Sequence, residues 1–209
     1  MIIDVFFSSA VVDEASVEGR TAVVIDVIRA TSSLVEALAN GARAVIPTVS
    51  TEEAVKLASS LGREDTLLCG ERKGLKVEGF DLGNSPSEFT PDVVRGKQLI
   101  MSTTNGTRAF VAVEGAEKVL AGCFLNLAAL GEALQGTSKL VVVCAGREDR
   151  FALDDALCAG LLLQSVLGSG SVEAQLNDAG RVALDLAEKY EVDAEFLRHT
   201  PSDPPEEDQ

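Results

Sequence analysis

Apolar, β-branched runs no longer than a strand, separated by segments with helical spacing, restrict this chain to an alternating α/β fold. The runs cover residues 2–7, 22–28, 44–49, 98–101, 118–121 and 140–144. Several are apolar at nearly every position, as strands covered on both faces are. Ser50 and Glu53 have the spacing of a capping box, and Ala54, Leu57, Ala58 and Leu61 then form an apolar helical stripe. Leu153, Ala156, Leu157, Gly160 and Leu161 make a second stripe, and Val182, Ala183, Leu186 and Tyr190 a third. The expected architecture is a layered α/β/α fold with a mixed, largely parallel sheet.

An internal echo refines that expectation. Laying Gly41-Ala42 on Gly115-Ala116 repeats an order of strand, polar loop, helix, Gly-Ala, strand, helix and a strand ending in cysteine and glycine. Two pseudo-repeated βαβ halves would produce it, and so would common turn chemistry. Either way, corresponding loops should lie close together. The alignment sets residues 26–31 opposite 100–105 and 69–72 opposite 144–147. Residues 1–198 read as one domain, and the proline-broken acidic stretch 199–209 as a disordered tail.

The formal charge of −15 opposes nucleic acid and anionic membranes as partners. No apolar stretch reaches membrane-spanning length, and the first apolar run carries Asp4 without a basic flank, so neither a membrane anchor nor a signal peptide is expected. A cytoplasmic location follows as the expectation. Cys69, Cys123, Cys144 and Cys158 lack CxxC spacing and read as reduced thiols. His199 is the only histidine and falls in the acidic tail, which disfavours Ser/His/Asp chemistry and histidine-rich zinc sites. No GxxxxGK[ST] loop is present, and no GxGxxG follows a strand.

Ligands of open α/β sheets gather beyond the carboxyl ends of strands, and four such ends are unusually polar here. The run LIMSTTNGTR ends an apolar strand in Ser102, Thr103, Thr104, Asn105, Gly106 and Thr107, a set of donors able to cradle an anion or to cap the next helix. DVIRATSS places Asp26 and Arg29 at a second end, where they could meet a ligand or pair with each other. CGERKG contributes Glu71 and Arg72, in a ligand site or a surface hairpin. GFDLGNSPSEF offers Asn84 and Ser85 in a glycine-rich connector, and CAGREDRFALDD brings Asp154 and Asp155 into the first turn of a helix. Without histidine, the chemistry left is that of a hard cation held by carboxylates and bridging to phosphate oxygens. Cys144 and Arg150 also have the spacing of a cysteine phosphatase loop, but Glu148 and Asp149 inside it would repel a dianion and raise the thiol pKa.

VVIDVIRATSS, CGERKG, GFDLGNSPSEF, STTNGTRA and CAG…DDALCAG, in this order, closely resemble the magnesium-dependent 2-phosphosulfolactate phosphatase family. The resemblance implies an α/β fold peculiar to that family and hydrolysis of 2-phospho-3-sulfolactate to sulfolactate and phosphate, a step toward coenzyme M. Members of the family generally continue past the point matching Leu197, where this chain reads PSDPPEEDQ. Under this reading Asp26, Glu71 and Asp154 are the expected Mg²⁺ ligands. Asp26, Arg29 and Asp155 are the expected catalytic residues, and Asp26 as a nucleophile or direct attack by water both stay open. Arg72, Asn84, Ser85, Ser102, Thr103, Thr104, Asn105, Gly106 and Thr107 are the expected contacts to a small, anionic, phosphorylated substrate. A binding or sensor protein for such a metabolite would need the same residues without turnover, and a homodimer is the common assembly for enzymes of this size.

Overall fold

The computed structural model describes residues 1–168, 173–193 and 196, so the expected acidic tail and His199 lie outside the described residues. Its elements, in chain order, are β1 (Ile2–Phe6), α1 (Glu14–Val17), β2 (Thr21–Ile25), α2 (Ala30–Ala39), β3 (Ala44–Pro47), α3 (Thr51–Leu61), β4 (Thr66–Arg72), β5 (Leu75–Lys76), α4 (Pro91–Val94), β6 (Gln98–Ser102), α5 (Gly106–Ala112), β7 (Lys118–Gly122), α6 (Leu127–Ala133), β8 (Lys139–Cys144), α7 (Leu153–Leu167), β9 (Gln175–Leu176) and α8 (Asp178–Lys189). The α/β class is as expected, but the strands form two sheets instead of one. The larger, ordered β7-β2-β8-β1-β9, is parallel throughout. The smaller, β3-β6-β4-β5, is parallel except for the β4–β5 hairpin.

The two halves of the chain trade their first strands. β2 precedes β3 and β4 in sequence yet lies between β7 and β8, while β6 precedes β7 and β8 yet lies between β3 and β4. Thr21 faces Lys118 and Leu140, and Gln98 faces Ala44 and Thr66, so Thr21 and Gln98 hold equivalent places. This register sets Asp26 opposite Thr103, not Ile100 as the alignment of Gly-Ala pairs predicts. The slip has a simple origin: α2 is 10 residues long and α5 only 7.

Both sheets are covered on both faces, which explains the nearly continuous apolar runs. Ile3, Val5, Val23, Ile25, Leu140 and Val142 pack against Leu130 and Leu134 near α6 and against Leu162, Leu163 and Ala183 of α7 and α8. Alternate residues Ala22, Val24, Val141 and Val143 face Val17, Ala109 and Val113 on the other side. In the smaller sheet, Leu99 and Met101 meet Leu34, Ala37 and Phe89, whereas Leu68 and Ile100 meet Ala54, Ala58 and Phe80. Each fully covered Val, Leu or Ile contributes roughly 1.5–3 kcal/mol of transfer free energy. Gly160 lets α7 and α8 touch, since a Cβ there would lie 1.9 Å from the Ala183 carbonyl oxygen. Among the described residues, no helix is long and apolar enough to cross a membrane.

Candidate active site

β2 leaves its sheet at Ile25, earlier than its apolar run predicts, because side chains capture the next backbone groups. Asp26 Oδ1 accepts the Ala30 N–H at 3.1 Å. Thr31 Oγ1 accepts the Asp26 N–H at 3.0 Å and donates to the Asp26 carbonyl at 2.7 Å. The Val27 N–H, which would otherwise extend the ladder, donates to Asp155 Oδ1 at 2.8 Å. The same turn carries Arg29, whose guanidinium donates to the Gly74 carbonyl at 3.2 Å. The Ile28–Arg29 peptide is cis.

The equivalent turn after β6 repeats these contacts with different side chains. Thr103 Oγ1 accepts the Thr107 N–H at 3.2 Å, as Asp26 accepts that of Ala30. Thr107 Oγ1 donates to the Thr103 carbonyl at 2.8 Å. Glu71 Oε1 accepts the Thr104 N–H at 2.6 Å, as Asp155 accepts that of Val27. The two turns abut: a Cβ on Gly106 would come within 2.4 Å of Ala30 Cβ and 2.7 Å of Asp26 Oδ2. The expected closeness of corresponding loops is thus met.

Several hydroxyls of the cradle foreseen at residues 102–107 bond within the protein. Ser102 Oγ donates to the Thr48 carbonyl and accepts from Arg72 at 2.8 Å. Thr104 Oγ1 donates to Glu71 Oε2 at 3.0 Å. These protons, with that of Thr107, hold the loop in shape, while the Thr103 hydroxyl only accepts, from the Thr107 N–H, and keeps its proton, like the Asn105 amide nitrogen, as a donor for an anion. Asn105 Oδ1 accepts the Glu148 N–H at 3.3 Å. Of the connector residues, Asn84 is buried, accepts a hydrogen bond from Ser33 Oγ at its carbonyl, and leaves its Oδ1 without a partner. Ser85 turns to Ser87 and Glu88 in a local 3₁₀ turn.

Asp26, Asp154 and Asp155 are all buried. Burial raises the Asp26 carboxyl to about 7, aided by the Asp154 and Glu71 charges and opposed by the Ala30 N–H and Arg147. Burial also raises Asp154, against the pull of its own and the next backbone N–H and of Arg147. Asp155 is pushed well above the ordinary carboxyl range by burial and then by Asp26 and Asp154. Charged carboxylates packed this way lack enough compensating charge among themselves. A divalent cation would supply it. Asp154 Oδ1 is buried with no hydrogen-bond partner, and Asp26 Oδ2 accepts no hydrogen bond among the described residues, so two oxygens suit a hard cation that commonly takes one or two protein carboxylates.

The expected metal and catalytic carboxylates differ in their contacts. Among the described residues no group of three His, Cys, Asp or Glu side chains is arranged to hold a metal ion. Both oxygens of Glu71 accept hydrogen bonds, one from the Thr104 N–H and the other from Thr104 Oγ1 and the Gly74 N–H. Asp155 is likewise a brace, since its Oδ1 and Oδ2 accept the Val27 and Gly146 N–H groups. The cysteine alternative fails as well: Cys144 is fully buried, and its thiol is pushed far up by burial and then by Asp155.

Arg147 is the residue that the sequence expectation left out. It follows Gly146 and precedes a two-residue turn in which Glu148 and Asp149 have φ of 48° and 62°. Its turn resembles that of Arg72, although the strand register sets Arg72 level with Gly146.

Comparison with known proteins shows the family. The family model described as 2-phosphosulpholactate phosphatase matches residues 6–203. A probable 2-phosphosulfolactate phosphatase of Clostridium perfringens strain 13 is 44% identical over 202 residues, covering 95% of this chain and 81% of the relative. One from Clostridium acetobutylicum is 45% identical over 184 residues, covering 88% and 77%, and one from Thermotoga petrophila is 45% identical over 163 residues, covering 76% and 70%. Because the match runs across both exchanged halves and every loop of the site, the chain belongs to the 2-phosphosulpholactate phosphatase family.

Proposed function

We propose that this chain is a Mg²⁺-dependent phosphomonoesterase that uses water to split 2-phospho-3-sulfolactate into sulfolactate and inorganic phosphate. The observation that carries the reading is the pair of buried, interacting carboxylates Asp26 and Asp154, the second with an Oδ1 that has no hydrogen-bond partner, beside the turn that carries Arg29. The printed names of the relatives supply the substrate. Asp26 and Asp154 would hold Mg²⁺, which when bound offers Lewis-acid stabilisation of charge on the phosphoryl group. The Ala30 N–H orients Asp26, and Asp155 fixes the backbone at Val27 and Gly146 on either side of it. Arg29 and Arg72 neutralise the phosphoryl oxygens, whose charge must be spread as the ester bond lengthens. Ser102 holds the Arg72 guanidinium in place for this.

The test is phosphate release from 2-phospho-3-sulfolactate by the purified protein. Release with Mg²⁺, loss in EDTA and recovery on added Mg²⁺ are expected. Tight binding without release would make the protein a sensor, and release that survives EDTA would remove the metal from the proposal. Arg29→Ala should lower kcat/KM a few hundredfold, about 3–4 kcal/mol of transition-state stabilisation, with the melting temperature unchanged. Turnover at the wild-type rate would reduce Arg29 to its hydrogen bond with the Gly74 carbonyl.

A further inference from the structure

Two arginines open similar turns that both reach the Ser102–Gly106 loop. Cys69-Gly70-Glu71-Arg72 ends β4 in the smaller sheet, and Cys144-Ala145-Gly146-Arg147 ends and follows β8 in the larger. Each arginine opens a two-residue turn with positive φ at both central residues: Lys73 and Gly74 at 52° and 81°, Glu148 and Asp149 at 48° and 62°. Each is paired across its turn, Arg72 with Leu75 and Arg147 with Arg150. The first N–H of each turn reaches the same loop, Lys73 donating to Thr104 Oγ1 at 3.2 Å and Glu148 to Asn105 Oδ1 at 3.3 Å. The second turn is fastened again by an ion pair of 3.0 Å between Arg108 and Asp149.

The two guanidinium groups differ in one respect. Arg72 is committed to Ser102 Oγ and to the Glu71 carbonyl, whereas no hydrogen bond or ion pair engages the Arg147 guanidinium among the described residues. Arg147 is nevertheless half-buried and framed by residues of the site. The preceding Gly146 N–H binds Asp155, and the following Glu148 N–H binds Asn105. Its charge acts on Asp26 and Asp154, lowering both against their burial.

We infer that Arg147 is a specificity residue that grips an anionic group of the substrate other than the phosphate, across the loop from Arg72. This rests on the phosphatase reading and deepens it by naming the residue that would hold a second anionic group of that substrate. A planar guanidinium suits a sulfonate or carboxylate through paired N–H donors. Placing the two arginines on separate sheets fixes the spacing between the anions they hold. A phosphomonoester with only one anionic group would engage Arg72 and leave Arg147 idle.

Arg147→Gln tests this in two assays on the Mg²⁺-loaded protein. Against 2-phospho-3-sulfolactate, kcat/KM should fall about 30- to 100-fold, mostly through KM. Calorimetric binding of sulfolactate should weaken by a similar factor, and binding of inorganic phosphate by less than about threefold. Arg147→Lys should recover part of the loss, and both variants should melt within a few degrees of the wild type. An equal loss of phosphate binding would overturn the inference by placing Arg147 at the phosphoryl group, and unchanged sulfolactate binding would overturn it outright. A wild type that binds sulfolactate through Arg147 but releases no phosphate would sink the hydrolytic reading alone.

Discussion

Asp26→Asn is expected to abolish phosphate release while making the metal-free protein more resistant to heat above neutral pH. The substitution keeps an oxygen for the Ala30 N–H but removes the charge that would hold Mg²⁺, and a loss of about 10³-fold or more in kcat/KM, roughly 4 kcal/mol, should follow. Stability should move the other way. The folded-state pKa of Asp26 is raised from 3.8 to about 7, so between those values the folded protein keeps a proton that the unfolded chain has shed. The folded state therefore loses stability as pH climbs through this interval, by up to roughly 4 kcal/mol from this group. Asparagine cannot ionise and escapes the loss. Melting temperatures from pH 5 to pH 8 should fall less steeply for the variant, and added Mg²⁺ at pH 8 should stabilise only the wild type. Parallel melting curves for the two proteins, or a variant that turns over normally, would contradict this account.

Gly106→Ala should produce the second large effect, through space alone. An alanine Cβ would lie 2.4 Å from Ala30 Cβ, 2.7 Å from Asp26 Oδ2 and 3.2 Å from Thr103 Oγ1. Ala30 cannot swing aside, because its Cβ is fixed to the first turn of α2 and buried. The two turns must separate, at a cost of about 1–3 kcal/mol in stability. A shift near 1 Å at Asp26 should also cost about 10²-fold in rate. Gly115→Ala is the control: its nearest neighbour would be Val17 Cγ2 at 3.7 Å, an ordinary contact, so both properties should be retained. Phosphate release and thermal melting of the two variants, measured side by side, check the expectation. A Gly106→Ala protein as active as the control would show that the turns need not touch.

What the sequence revealed follows from how local each signal is. Strand and helix positions were legible because apolar periodicity is set by burial, and the two faces of each sheet are covered. Half of the capping box read at Ser50 and Glu53 is present: Ser50 Oγ accepts the Glu53 N–H, whereas Glu53 accepts that of Val49 and not that of Ser50. The splitting of one sheet into two was not legible, since strand order depends on contacts as remote as Ile2 with Lys139. The residues of the site were found as types, but their division of labour was not. Glu71, Asp154 and Asp155 look alike in sequence. Only their hydrogen bonds distinguish the braces, Glu71 and Asp155, from Asp154, whose Oδ1 stays free. Arg147 and Arg150 are alike in sequence too, and only the Gly146 and Glu148 N–H contacts to Asp155 and Asn105 place the first of them beside the site.

The exchange of first strands has a mechanical consequence. Neither half of the polypeptide contains a finished sheet, because β2 completes the ladder of the later half and β6 that of the earlier one. A cut between β5 and β6 would not yield two autonomous pieces. It would yield two unfinished ones, each holding the strip the other lacks. The crevice with Asp26 and Gly106 lies where the halves clasp. Parting the two halves of the chain would tear parallel ladders in both sheets, so the halves must form and lose their structure together.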